Sequence, residues 1–252
     1  MSKILFIVLT LLIFSCEDIS EQESNYTYQQ YMEDGWEAFV YKEWGLGKLA
    51  FNIGLLQESE NYSEAYSGLG WIYLFQANAM PGELNADYRT VLRDSSSMYF
   101  NLAYNQGMDN TASWSDVLAG MAFMYNYKSD SLLFEYYNNI YTDNSLWDQM
   151  IEYSNEAISI SDDLLSLNAN YNFYPYIPLD DEAEYNLCIN KNNMRILRSQ
   201  LFFNIEDYSN VLVELTQLTD EYVCPNGNPE TIQDAIYCMG IISNQLFQCN
   251  IE

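Results

Sequence analysis

Histidine is absent from all 252 residues, and basic residues are scarce: Lys and Arg together number 9 against 36 Asp and Glu. The first absence removes the commonest general base near neutral pH, the usual serine and cysteine triads, and most zinc sites. The second leaves a formal net charge of −27, a field that repels nucleic acid and anionic head groups and draws cations or basic partners. No apolar run reaches the roughly 20 residues a helix needs to cross a bilayer. No cysteine pair has C-x-x-C spacing, and the acidic clusters at 161–163 and 180–184 lack the alternating ligands and central glycine of a calcium loop. Neither a metal nor a cofactor is expected.

Apolar side chains are abundant. Hydrophobic residues make up 49% and aromatics 16%, enough for a large core and unlike an acidic disordered chain. The length suits one elongated domain or two small ones.

Residues 1–15, MSKILFIVLTLLIFS, place Lys3 before an apolar run from Ile4 to Phe14, the basic and hydrophobic parts of a secretion signal. Ile13-Phe14-Ser15-Cys16 resembles the lipobox of bacterial lipoproteins, although Phe14 is bulkier than the family's usual residue. The resemblance implies cleavage before Cys16 and acylation of its thiol. Each buried methylene contributes about 0.8 kcal/mol, so several acyl chains hold a protein firmly to a leaflet. Residues 16–27 then form a lipidated flexible tether, acidic and polar from Glu17 onward. An acidic stretch after the lipidated cysteine also resembles a surface-export tag. The expected location is the outer membrane, lipid-anchored, facing either the periplasm or the exterior.

In residues 60–76, ENYSEAYSGLGWIYLFQ, small side chains recur among large ones, the interlocking pattern of closely packed helices. With Tyr66, Leu69, Gly70 and Tyr73 at the bulky, leucine, glycine and tyrosine positions, the stretch resembles the first helix of a tetratricopeptide repeat. Gly35, Gly47, Phe51 and Gly54 fit a preceding unit, and Ser96, Phe100 and Ala103 fit the second helix of the same unit as Tyr66. A third unit carries Ala119, Gly120 and Phe123, with Ala157 on its second helix. A fourth has Ser199 and Phe202, a turn at Glu206 to Tyr208, then Val211, Leu215 and Leu218.

The resemblance spans residues 28–219 and implies an all-α fold: antiparallel helix pairs stacked as a right-handed α-solenoid, each pair too small to stand alone. It departs from the family in three long inter-helix insertions, 78–90, 129–145 and 168–189; a non-repeat helical bundle is the other architecture open to the chain. The first helices should line an open groove, with Tyr31, Tyr66, Tyr73, Met124 and Phe202 lining or underlying it. In the third insertion Tyr174 and Tyr176 suit stacking on a sugar or gripping a peptide.

Residues 220–252 read as a disulfide-pinned capping helix. After Cys16 the chain has Cys188, Cys224, Cys238 and Cys249, an even number that in an exported protein favours two disulfides. Cys188 and Cys224 flank the fourth helix pair, whose antiparallel helices bring those ends together, so Cys188–Cys224 and Cys238–Cys249 are expected. Lys191, Arg195 and Arg198 share a helix face; they can hold an anionic ligand group or pair with carboxylates such as Asp180, Asp181 and Glu182.

The functional expectation is a protein- or peptide-binding scaffold in an envelope assembly or transport system. The alternative is a glycan- or nutrient-capturing surface lipoprotein partnering an outer-membrane transporter: NNMRILRSQLFF is similar to the arginine-and-aromatic helix of such lipoproteins, which are typically much longer. Nothing in the sequence positively supports an enzyme.

Overall fold

The structure, a computed structural model, describes residues 26–80, 85–107, 111–138, 144–173, 189–218, 224, 227 and 229–242. Among them are nine α-helices and no strand: α1 (Tyr28–Val40), α2 (Trp44–Gly54), α3 (Ser63–Asn78), α4 (Ala86–Gln106), α5 (Thr111–Asn138), α6 (Asn144–Leu167), α7 (Lys191–Asn204), α8 (Tyr208–Leu215) and α9 (Ile232–Ile242).

The helix starts are written locally. Thr27 and Gln30 form a capping box at α1, and Asn190 and Asn193 form another at α7, each side chain satisfying a backbone N–H that has no partner inside the helix. Asp207 accepts from the Asn210 N–H at α8, and Thr231 and Asp234 exchange hydrogen bonds ahead of α9. Two turns repeat bond for bond. After α1 the Glu43 N–H reaches the Ala38 carbonyl and the Lys42 N–H that of Phe39; after α7 the Asp207 N–H reaches Phe202 and the Glu206 N–H reaches Phe203. Both are Schellman closures, with Lys42 (φ 59°) and Glu206 (φ 63°) in the left-handed conformation that usually falls to glycine.

Packing follows chain order. The pairs α1/α2, α3/α4, α5/α6 and α7/α8 each close on themselves; every odd-numbered helix also touches the next odd-numbered one and the even helix just before it. At the first two junctions between pairs the contact is a ring between two glycines. Phe51 of α2 lies between Gly35 of α1 and Gly68 of α3; Phe100 of α4 lies between Gly70 of α3 and Gly120 of α5. A Cβ on any of the four would overlap the ring, at 2.6 Å for Gly35 and 2.9 Å for Gly70. Both rings are almost fully buried.

The parallel sets the register. Gly120 is the counterpart of Gly68, not of Gly70, so the third unit runs two residues later than its sequence suggested, and Ala122 takes the place of Gly70. The expected insertion at 129–145 is also corrected: α5 runs unbroken for 28 residues to Asn138, and α6 resumes at Asn144. Asp130 still joins α5 to α7, accepting from Gln200 and Asn204 at 2.9 Å each. Beyond it Phe134 and Tyr137 are exposed. Only part of the tail is covered, Tyr136 lying 5.2 Å from the Trp147 ring of α6, which is why the sequence read as a loop.

Most of the core is one cluster from Met32 to Leu201; a smaller one joins Ile196, Val211, Leu215, Cys224, Cys238 and Ile242. In the smaller cluster Cys224 is disulfide-bonded to Cys238, with Cα atoms 5.3 Å apart. The expected Cys188–Cys224 and Cys238–Cys249 pairing is therefore wrong. Cys224 is packed against α9, on the face that carries Cys238, while Cys188 and Cys249 lie outside the described residues.

The glycine seats admit a direct check. Gly120→Ala should cost about 1–3 kcal/mol of stability by overpacking, and Phe100→Ala about 3–5 kcal/mol by leaving a void. Pairing Gly120→Ala with Phe100→Leu should recover part of the loss in urea denaturation; strictly additive losses would show that the ring and the glycine are not in contact.

Candidate functional site

The odd-numbered helices form a wall, and its repeat explains what covers it. In the register set by the glycine seats, the residue after each small position is Trp36 in α1, Trp71 in α3 and Phe123 in α5, all buried. Over them lies the segment that follows α6. Phe173 places its ring 4.8 Å from Trp71, 6.0 Å from Trp36 and 6.1 Å from Phe39, centre to centre, distances at which tilted and edge-on aromatic pairs are favourable. Two backbone bonds hold the segment: Phe173 N–H to the Ile189 carbonyl at 2.7 Å and Lys191 N–H to the Tyr171 carbonyl at 2.8 Å. The open groove expected along these helices is thus filled, at α1 and α3, by the chain itself.

The buried Tyr171 hydroxyl donates to Asp116 of α5 at 3.0 Å. Burial pushes the Asp116 carboxyl well above its usual 3.8; the Tyr171 bond works against that shift and the nearby Glu64 adds to it. Burial also raises Tyr171 well above 10.0, and Asp116 raises it further. Glu64 in turn accepts from the Trp36 indole at 3.1 Å. The two acids, Glu64 and Asp116, hold the wall and its covering segment together. Asp130 is raised by burial, offset by Asn204, Arg93, Asn126 and Gln200. Tyr127, with the Arg93 guanidinium 4.3 Å from its ring centre, is pushed up to about 12 by burial.

The residues singled out from sequence fall into separate places. Tyr66 and Tyr73 do not line the wall; they stack on Tyr99 of α4 at 6.4 Å and 5.5 Å, the latter nearly parallel at 8°. The Lys48 ammonium sits 4.9 Å from the Tyr73 ring centre. Tyr31 edges a groove described below, Met124 is core and Phe202 packs on the smaller cluster. Arg195 and Arg198 are not free for a ligand. Glu214 of α8 takes Arg195 at 2.9 Å and Arg198 at 2.8 Å, and Arg198 also bonds Asp162 and the Ile158 carbonyl. With Arg198 and Glu214 both buried, the network ties α6, α7 and α8, its charges offsetting one another where neither could be buried alone. Cys16, Tyr174 and Tyr176 lie outside the described residues.

Sequence reading missed a groove. Between α1 and α2 lies a space of about 340 Å³ whose lining includes Leu46, Leu49, Asp34 and Glu43. Its signal was the spacing Leu46, Leu49, Ile53, an apolar edge that lies beside rather than within the buried face of α2.

Among the described residues no three or more Cys, Asp or Glu side chains converge as a metal site would require. No described helix is long and apolar enough to cross a membrane. The chain matches no protein-family model, no curated protein and no solved structure.

Asp116 yields a pH test. Because its folded pKa lies above its unfolded value, the folded state holds the proton more tightly, and its contribution is lost as pH rises from about 3.8 through the folded value. Asp116→Asn keeps an acceptor for Tyr171 and removes the charge. Its stability relative to wild type in urea should climb as pH rises above about 4; a pH-independent difference would contradict the raised carboxyl.

Proposed function

We propose that this chain is a lipid-anchored, tetratricopeptide-like scaffold that holds a partner protein in the cell envelope, and that it is not a catalyst. The observation that carries this reading is the repeated seat of Phe51 and Phe100 between glycines of successive pairs, with Trp36, Trp71 and Phe123 in register on the adjoining wall. Such a seat joins the first pair to the second and the second to the third, and contacts limited to neighbours are the property of a stacked solenoid. In this reading Cys16 carries the acyl chains, residues 16–27 act as the tether, and the outer membrane is the anchoring surface.

A scaffold binds through the faces its own packing leaves open. Phe173 fills part of the wall, which directs a partner to the ends and edges of the array or to displacement of that segment. Flat stacking on a sugar receives less support: Tyr73 and Tyr99 stack on each other, and the Lys48 ammonium lies over the Tyr73 ring.

Labelling cells with palmitate and cross-linking the envelope tests the reading in one preparation. Wild-type chain should take up label, fractionate with the outer membrane and give a discrete cross-linked protein partner, whereas Cys16→Ser should lose the label and leave the membrane fraction. Label retained in Cys16→Ser would contradict the anchor. Saturable binding of the purified chain to a glycan array, without a protein partner, would contradict the scaffold.

A further inference from the structure

The groove between α1 and α2 lies at the first-pair end of the array. The glycine register explains its composition. Gly35 and Gly70 are counterparts, so Asp34 and Glu37 of α1 occupy the positions that Leu69 and Ile72 occupy in α3. Leu69 and Ile72 are fully buried, and Ile72 reaches across to α2, where a Cβ on Gly47 would meet its Cδ1 at 2.8 Å. Where α3 stacks on the pair before it with apolar side chains, α1 presents acids. Another such pair cannot stack here without burying unpaired carboxylates.

The α2 side of the same groove is apolar. Leu46 and Leu49 are 57% and 56% exposed, and Ile53 and Ala50 also line the space. Asp34, Glu37 and Glu43 rim it, and no basic side chain is among its lining residues. Of the two lysines close by in sequence, Lys42 is exposed in the turn between Tyr41 and Glu43 without lining the space, and Lys48 of α2 points its ammonium to Gln76 and Tyr73 of α3.

We propose that this groove docks an amphipathic helix of a partner protein, with its apolar stripe on Leu46 and Leu49 and its flanking lysines or arginines against Asp34, Glu37 and Glu43. The proposal rests on the scaffold reading and names the face and the chemistry of its partner. Two parallel reasons favour a helix. Another side of the α1/α2 pair already receives a helix, α3, with Gly68 on the Phe51 ring and Ile72 beside Gly47, and an apolar row beside acids is complementary to a basic amphipathic helix. A second copy of the chain does not fit: the same acids would face each other across a symmetric contact, and the chain's basic helix, α7, already has Arg195 and Arg198 paired with Glu214 and Asp162.

The probe is a fluorescent synthetic helix of about 18 residues built from leucine, alanine and lysine, leucines on one stripe and lysines beside it, titrated into the purified full chain. Its controls are a scrambled peptide of the same composition and one with glutamate for every lysine. Saturable binding should weaken roughly tenfold or more, the equivalent of about 1.4 kcal/mol, both in Leu46→Ser/Leu49→Ser and in Asp34→Asn/Glu37→Gln/Glu43→Gln. Both sets of changes are at the rim, and circular dichroism checks that the variants keep their helices. Equal binding of the scrambled peptide, or unchanged affinity in the leucine variant, would overturn the proposal as general attraction to a chain of net charge −27. Absence of binding would overturn it too. In either event a protein partner still cross-linked in the envelope by the leucine variant would leave the scaffold reading standing, and loss of any partner for wild type would remove both.

Discussion

The rings of Phe51 and Phe100 occupy space that exists because four facing positions have no side chain. Gly35 and Gly68 bracket one ring, Gly70 and Gly120 the other, and each bracket takes one glycine from the ring's own pair and one from the next. Interiors are packed near crystal density, so a seat of this kind tolerates neither an added methyl nor a smaller ring without cost. Because the contact links successive pairs, it sets the separation of α1 from α3 and of α3 from α5, and through them the register of everything laid on those helices.

One consequence is the aromatic wall. With the glycines in register, Trp36, Trp71 and Phe123 come into line, and the gap above the first two accepts Phe173 from a segment far along the chain. The acids follow the same alignment: Glu64 meets the Trp36 indole and Asp116 meets the Tyr171 hydroxyl. Burying Asp116 costs neutral-pH stability, which the aromatic contacts of the covering segment offset. On α1 the positions that in α3 hold Leu69 and Ile72 are taken by Asp34 and Glu37. That substitution turns an internal packing surface into an acidic, half-apolar edge.

Helical class was legible because it depends on short-range pattern: Tyr66, Leu69 and Tyr73 recur at one-turn spacing around the small Gly70, and Gly35 with Phe51 repeats the combination of glycine and ring. Register in α5 was not, since Gly120 and Ala122 are both small and only the contact with Phe100 tells which is which. The end of α5 was missed because past Asp130 it is covered on one side only, with Tyr136 against Trp147 and Phe134 and Tyr137 exposed, which weakens the apolar period that marks a packed helix. Phe173 could not be found by periodicity at all; its partners are about a hundred residues or more away in sequence. The disulfide failed for a related reason. Adjacency of helix ends suggested Cys188 for Cys224, but Cys224 sits in the smaller cluster with α9 and is bonded to Cys238 there. Arg195 and Arg198 were visible as a cationic face, while Glu214, the group that spends them, is an ordinary-looking acid in the next helix.

Amide hydrogen exchange measured along the intact chain tests the seam most directly, because local opening free energies follow the packing that must be broken. If the rings between glycines hold the array together, the slowest amides should lie in α3 and the first half of α5, around Gly68 to Trp71 and Gly120 to Phe123, with α9 and the last turns of α5 exchanging fastest. Slower exchange in α9 than in α3, or equal protection across all nine helices, would contradict the claim.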